Sequence, residues 1–145
     1  MDENEKIALL QKVDAFQGLR QNDYRELATL ANTVELKKND FLFKEDDIAH
    51  SLYIVNSGII SIFKGSRELV QFTSGDMIGE MSLLDSGTRS ATAKALEETV
   101  LLEISENVFQ SLLQNKNFTL LKVLKVLSKR IRESDQKLAI DHMIM

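Results

Sequence analysis

The 145-residue chain has no cysteine. Disulfides, thiolate metal sites and cysteine nucleophiles are therefore excluded, and cysteine usage cannot indicate a redox compartment. Proline is absent too, so tight turns must rely on Gly, Asn, Asp and Ser. No apolar run approaches the roughly 18 residues that a membrane span needs. The acidic start Met-Asp-Glu-Asn-Glu-Lys has no apolar stretch behind a basic one, so no secretory signal is expected. A cytoplasmic protein with no membrane partner is the expectation. The net charge of −4 speaks against DNA, whose affinity for proteins rests on phosphate neutralisation.

What is present describes one soluble globular domain over 1–145, with 43% hydrophobic and 28% charged residues. A chain this long can bury a sizeable core without covalent staples. Ile7, Leu10 and Val13 recur at helical spacing. Gly18 breaks that pattern, and Asn22 or Asp23 can cap a second helix carrying Tyr24, Leu27, Ala28, Leu30 and Ala31. Helices are thus expected over 1–32. From about Thr33 the texture changes to short apolar runs: Phe41–Phe43, Leu52–Val55, Ile59–Phe63, Leu69–Phe72, Thr92–Ala95 and Val100–Ile104. Five of the six glycines fall between Gly58 and Gly87, where the tight turns should lie. Such runs predict an antiparallel β-roll, jelly-roll-like, over 33–104. Helical spacing returns over 105–138, with Ser105 as a cap before Phe109, Leu112 and Leu113. The class is α+β: a roll flanked by N-terminal helices and a long C-terminal helix.

One stretch inside the roll carries chemistry. Residues 78–91 read as a short helical turn, a tight loop and the start of a strand. Within them Gly79 precedes Glu80, and Arg89 is followed by the small residues Ser90 and Ala91. Glycine allows backbone to approach a ligand closely, and the N–H groups of a helix start favour an anion. An arginine presents a planar fork of donors to phosphate oxygens. A carboxylate can accept a hydrogen bond from a ribose hydroxyl. The pattern resembles the phosphate-binding cassette of the cyclic-nucleotide-binding domain family: Gly-Glu-x-(Ala/Ser/Cys)-Leu, a short loop, then Arg-(Ser/Thr/Ala)-Ala. Gly79, Glu80, Ser82, Leu83, Arg89, Ser90 and Ala91 fit it, seven positions of thirteen. The resemblance implies that Arg89 and nearby amides, including that of Met81, hold a cyclic phosphate while Glu80 holds the ribose 2′-OH. The family's usual Glu-Gly-Asp before the roll is here Glu45-Asp46-Asp47, so a left-handed turn there must be made by an aspartate. That departure is expected to affect the loop and not the ligand site.

Leu120, Leu124, Leu127, Ile131 and Leu138, with Ser134 in the intervening slot, form a heptad seam on a helix expected from Phe118 to Leu138. The seam can pack on the roll or pair with a second copy as a homodimer. Leu127 to Leu138 is similar to the central helix of bacterial cAMP receptor regulators. That similarity implies that Arg130 pairs with the ribose-binding glutamate, Ser134 contacts the adenine amino group and Asp135 reaches the partner's base. A solvated basic face is the plain alternative for Arg130, given Lys122, Lys125, Lys129 and Arg132. Seven residues follow Leu138, too few for a helix-turn-helix.

The resemblance implies a non-catalytic cyclic-nucleotide sensor whose C-terminal helix moves on binding, with no cofactor. Ser90 can serve either purine, and Ser134, placed near the base by the resemblance, favours cAMP as the ligand, with cGMP the other candidate. The downstream protein partner is not specified. A vestigial binding domain serving as a protein-interaction scaffold is the alternative. A cupin-like metalloenzyme would need several clustered histidines. The chain has only His50 and His142, so no metal site is expected.

Overall fold

The structure, a computed structural model, describes residues 1–84, 87–115 and 118. It opens with helix α1, Glu3–Lys12, whose N-cap Asp2 accepts the Glu5 N–H at 2.8 Å. A 3-10 turn, Asp14–Phe16, leads to α2, Gln21–Leu30. The expected cap is corrected here: Arg20 holds the N-cap position. Asp23 sits three residues further on and reaches back to the Arg20 N–H at 2.9 Å. A carboxylate there satisfies an orphan donor from inside the first turn.

Eight strands follow: β1 Asn32–Leu36, β2 Phe41–Phe43, β3 Ser51–Ser57, β4 Ile60–Lys64, β5 Arg67–Phe72, β6 Met77–Ile78, β7 Thr92–Ala95 and β8 Thr99–Ser105. The short helix α3, Glu80–Leu84, lies between β6 and β7, and α4, Glu106–Leu113, follows β8. Ser105 caps α4 as expected, its hydroxyl accepting the Val108 N–H at 3.4 Å. The strands pair antiparallel in two four-stranded sheets, ordered β1-β8-β3-β6 and β2-β7-β4-β5. This is the β-roll anticipated from the turn-punctuated apolar runs. Two strands escaped that reading. β1 has no fully buried residue to mark a face, and β6 is two residues long.

Two cores explain the hydrophobic texture. Leu52, Ile54, Leu102 and Ile104 face α1, α2 and α4, together with Phe16, Phe109 and Phe118. Val55, Leu101, Ile78, Ile60, Ile62 and Phe43 fill the second core, inside the roll. Successive side chains on a strand point to opposite faces, so β3 and β8 alternate between the two cores. A strand buried on both faces reads as a continuous apolar run, as Leu52-Tyr53-Ile54-Val55 does. The long helix expected beyond Phe118 lies outside the described residues. No helix among the described residues is long and apolar enough to cross a membrane.

Two non-glycine residues have left-handed backbones: Asn39 at φ 75° and Asp46 at φ 73°. Asp46 thus adopts the conformation anticipated where a glycine was wanted. A β-branched residue tolerates it far less. Replacement of the exposed Asp46 by valine should cost about 1–2 kcal/mol. Glycine should stay within about 1 kcal/mol of the native residue, because relief of strain is offset by a more flexible unfolded chain. Urea midpoints of the two variants check this.

Tyr53 and Glu103 are register partners on β3 and β8. Burial, and then the charge of Glu103, push the Tyr53 phenol from its usual 10 up to about 12. An acid held neutral in the fold stabilises it fully below the unfolded value, and that contribution is lost as pH rises from about 10 through 12. Tyr53→Phe should therefore flatten the fall of stability with pH across that window, measured by urea unfolding at successive pH values.

Candidate ligand-binding site

The candidate site forms where β6 gives way to α3 and where the chain returns toward β7. Gly79 lies between β6 and α3 with φ +84°, and a Cβ on it would fall 2.3 Å from Arg89 Nη1. Both the backbone angle and the close approach require glycine. Glu80 opens α3 and is 1% exposed, and Ser82 is buried beside it. With only five residues, α3 has little macrodipole, so positive charge here comes from the arginine.

The arginine is carried on a short antiparallel ladder. The Ala49 N–H donates to Gly87 O at 2.7 Å, and Ile48 bridges Thr88. The Arg89 N–H donates to Asp47 O at 2.8 Å, and the Asp46 N–H donates to Arg89 O at 2.8 Å. The Asp47 carboxylate tightens the same turn by accepting the Lys44 N–H at 2.9 Å. The left-handed residue itself donates to the arginine's carbonyl, because the turn and the site share one ladder.

The Arg89 side chain runs inward and is 3% exposed. Its Nη1 donates to Gly79 O at 2.9 Å and its Nη2 to Ser51 O at 2.5 Å. Its Cζ lies 4.2 Å from the centre of the Phe43 ring and 5.9 Å from that of Tyr53. The Nε–H is buried and has no hydrogen-bond partner among the described residues. Burial lowers the arginine's pKa, while the electrostatic influences of Tyr53, Glu80 and Asp47 raise it. The Ser90 Oγ is also buried without a hydrogen-bond partner among the described residues. The Ser90 carbonyl accepts Lys64 Nζ at 2.9 Å.

The structure therefore brings Gly79, Glu80 and Arg89 together, with Ser90 next in the chain, and an exposed Glu80–Arg89 ion pair is ruled out by their burial. Met81 packs its side chain on the helical core, and Ala91 lies in the core of the roll. These two residues can offer a ligand their backbone. Arg130, Ser134 and Asp135 lie outside the described residues. Sequence reasoning missed Phe43, Tyr53 and the Ser51 carbonyl. Phe43 could be read as an inward strand residue, but nothing local in Phe41-Leu42-Phe43 marks its partner as a guanidinium. Chemically, the arrangement offers a buried cation with a free N–H, a carboxylate acceptor and a hydroxyl. That set suits a small anion that also bears a hydroxyl group.

Known proteins are similar to this chain in sequence and in fold. A family model described as the cyclic nucleotide-binding domain matches residues 33–116. The Cyclic AMP receptor protein of Thermus thermophilus is 34% identical over 102 residues, which cover 67% of this chain and 47% of that protein. The cAMP-dependent protein kinase regulatory subunit of Hypocrea atroviridis is 28% identical over 104 residues, which cover 72% of this chain and 22% of that protein. The chain thus matches less than half the length of either relative. Among solved structures, the sensor domain of the transcriptional regulator DNR from Pseudomonas aeruginosa superposes with a TM-score of 0.77 at 25% identity. That match covers 90% of this chain and 91% of that one. The N-terminal domain of a transcriptional regulator from Streptomyces coelicolor superposes with a TM-score of 0.69 at 29% identity, covering 86% and 91%. With the matched segment running from β1 past α4 and enclosing both Glu80 and Arg89, the chain belongs to the cyclic nucleotide-binding domain family.

Proposed function

We propose that this chain is a non-catalytic sensor that binds a cyclic nucleotide in its β-roll, cAMP in preference to cGMP. Arg89, through its free Nε–H, and the backbone of Gly79, Met81, Ser82 and Ala91 would hold the cyclic phosphate. Glu80 would accept the ribose 2′-OH, and Ser90 would add its hydroxyl. Arg130 and Ser134, on the C-terminal helix expected from the sequence, would close over the ribose and base. A ligand shifts such a lid only by binding the closed state better than the open one. The moved helix would be the signal, read by a protein partner or by a second copy through the heptad seam.

The observation that carries this reading is a guanidinium 3% exposed with a buried donor in reserve. Burying a charge is costly unless something compensates it, and an anionic ligand at that nitrogen completes the compensation. Similarity to relatives named for cAMP supports the same nucleotide. One observation favours the scaffold alternative: both terminal nitrogens of Arg89 already donate to main-chain carbonyls, so the pocket holds its own cation in part.

Calorimetry and thermal unfolding with cAMP and with cGMP separate the two readings. A ligand at a hundred times its dissociation constant should stabilise the fold by roughly 2.7 kcal/mol. Absence of heat and of stabilisation with both nucleotides would leave the scaffold. In a chain that binds, Arg89→Ala should weaken affinity by on the order of 3–5 kcal/mol, with circular dichroism confirming the fold. Glu80→Gln should weaken it by about 1.5–3 kcal/mol.

A further inference from the structure

We infer that Phe43 is a positioning residue for the ligand-binding arginine, a neutral platform that holds the Arg89 guanidinium in place with its Nε–H free. This rests on Arg89 as the phosphate-holding group. Phe43 ends β2 in one sheet, and Tyr53 lies in β3 of the other. Their rings are 6.3 Å apart and tilted by 32°, so they bridge the seam between the sheets. The Arg89 guanidinium sits on that seam, 4.2 Å from the Phe43 centroid and 5.9 Å from that of Tyr53. Phe43 is 7% exposed, so the ring is itself fixed by the core.

The choice of an aromatic ring has a physical reason. A buried guanidinium needs compensation for lost hydration, and burial indeed lowers the pKa of Arg89. The carbonyls of Gly79 and Ser51 serve its two terminal nitrogens. A carboxylate stacked beside them would neutralise the cation and take its last donor, competing with an anionic ligand. The face of a benzene ring attracts the cation through its quadrupole but takes no N–H in the guanidinium plane. Two carbonyls hold the terminal nitrogens of Arg89, and the ring centroid lies 4.2 Å from its central carbon. Their geometry leaves the Nε–H, buried and without a hydrogen-bond partner among the described residues, as the donor in reserve. An aliphatic side chain at position 43 would fill the same space and do none of this.

The test varies the ring's electrostatics at nearly constant shape. Site-specific replacement of Phe43 by 4-fluoro- and 3,5-difluorophenylalanine weakens the ring's attraction for a cation stepwise. cAMP affinity is measured by calorimetry, with Phe43→Leu alongside and urea unfolding of each unliganded variant. The expected result is a stepwise loss of affinity, about 3- to 10-fold across the fluorinated pair and at least that for leucine, since cation–π attraction scales with the ring's charge distribution. Equal cAMP affinity across the fluorinated series, with the native protein binding, would overturn the platform and leave the sensor standing. Failure of the native protein to bind either nucleotide would overturn both.

Discussion

The structure around the cassette depends on holding one charged group out of water. Arg89 is buried, and a guanidinium cannot escape the cost by losing its proton at any ordinary pH. The surroundings must supply what hydration would have given. They do so with two main-chain carbonyls, an aromatic face, and the negative influence of Glu80 and Asp47. The compensating groups come from four separate parts of the chain: β2, the start of β3, the Gly79–Glu80 step into α3, and the turn at Asp46–Asp47. The site therefore exists only when the roll is closed.

That dependence explains details that look incidental in isolation. Gly79 must be glycine because the arginine's Nη1 occupies the space a Cβ would take. The left-handed Asp46 keeps its N–H aimed at the Arg89 carbonyl, so the turn is part of the site's frame. The helical layer plays a different part. α1, α2 and α4 pack on the outer face of the sheet containing β3 and β8, where Met81 and Leu83 of the cassette join them, while Ile78 and Ala91 lie inside the roll. The two cores share β3 and β8, so a displacement of the helices against that sheet bears directly on the strand that supplies the Ser51 carbonyl.

Much of the roll was legible in the chain. Phe41–Phe43 and Thr92–Ala95 match the observed strands residue for residue, because short apolar runs between turn residues have few other solutions. Edges were less legible. Asn32–Leu36 offers only Val34 and Leu36 on its inner face, both partly buried, and Met77–Ile78 is too short to show a period. The α2 cap was misplaced because the sequence shows that Asp23 can cap but not from which position. The pairing of Arg89 with Phe43 joins residues 46 positions apart, one ahead of β7 and one at the end of β2, and local pattern carries no trace of it.

By itself the chain determined the cassette's chemical inventory: which acid, which arginine, which glycine and which small residues are available. Spacing along a strand or turn is local, so residue type and order set it directly. Only the folded structure decided that Glu80 and Arg89 are buried and not a solvated pair, that Arg89 already donates to Gly79 and Ser51, and that its Nε–H is the donor left over. Burial and hydrogen-bond partnership depend on segments far apart in sequence meeting at one seam, and desolvation acts only once they have met.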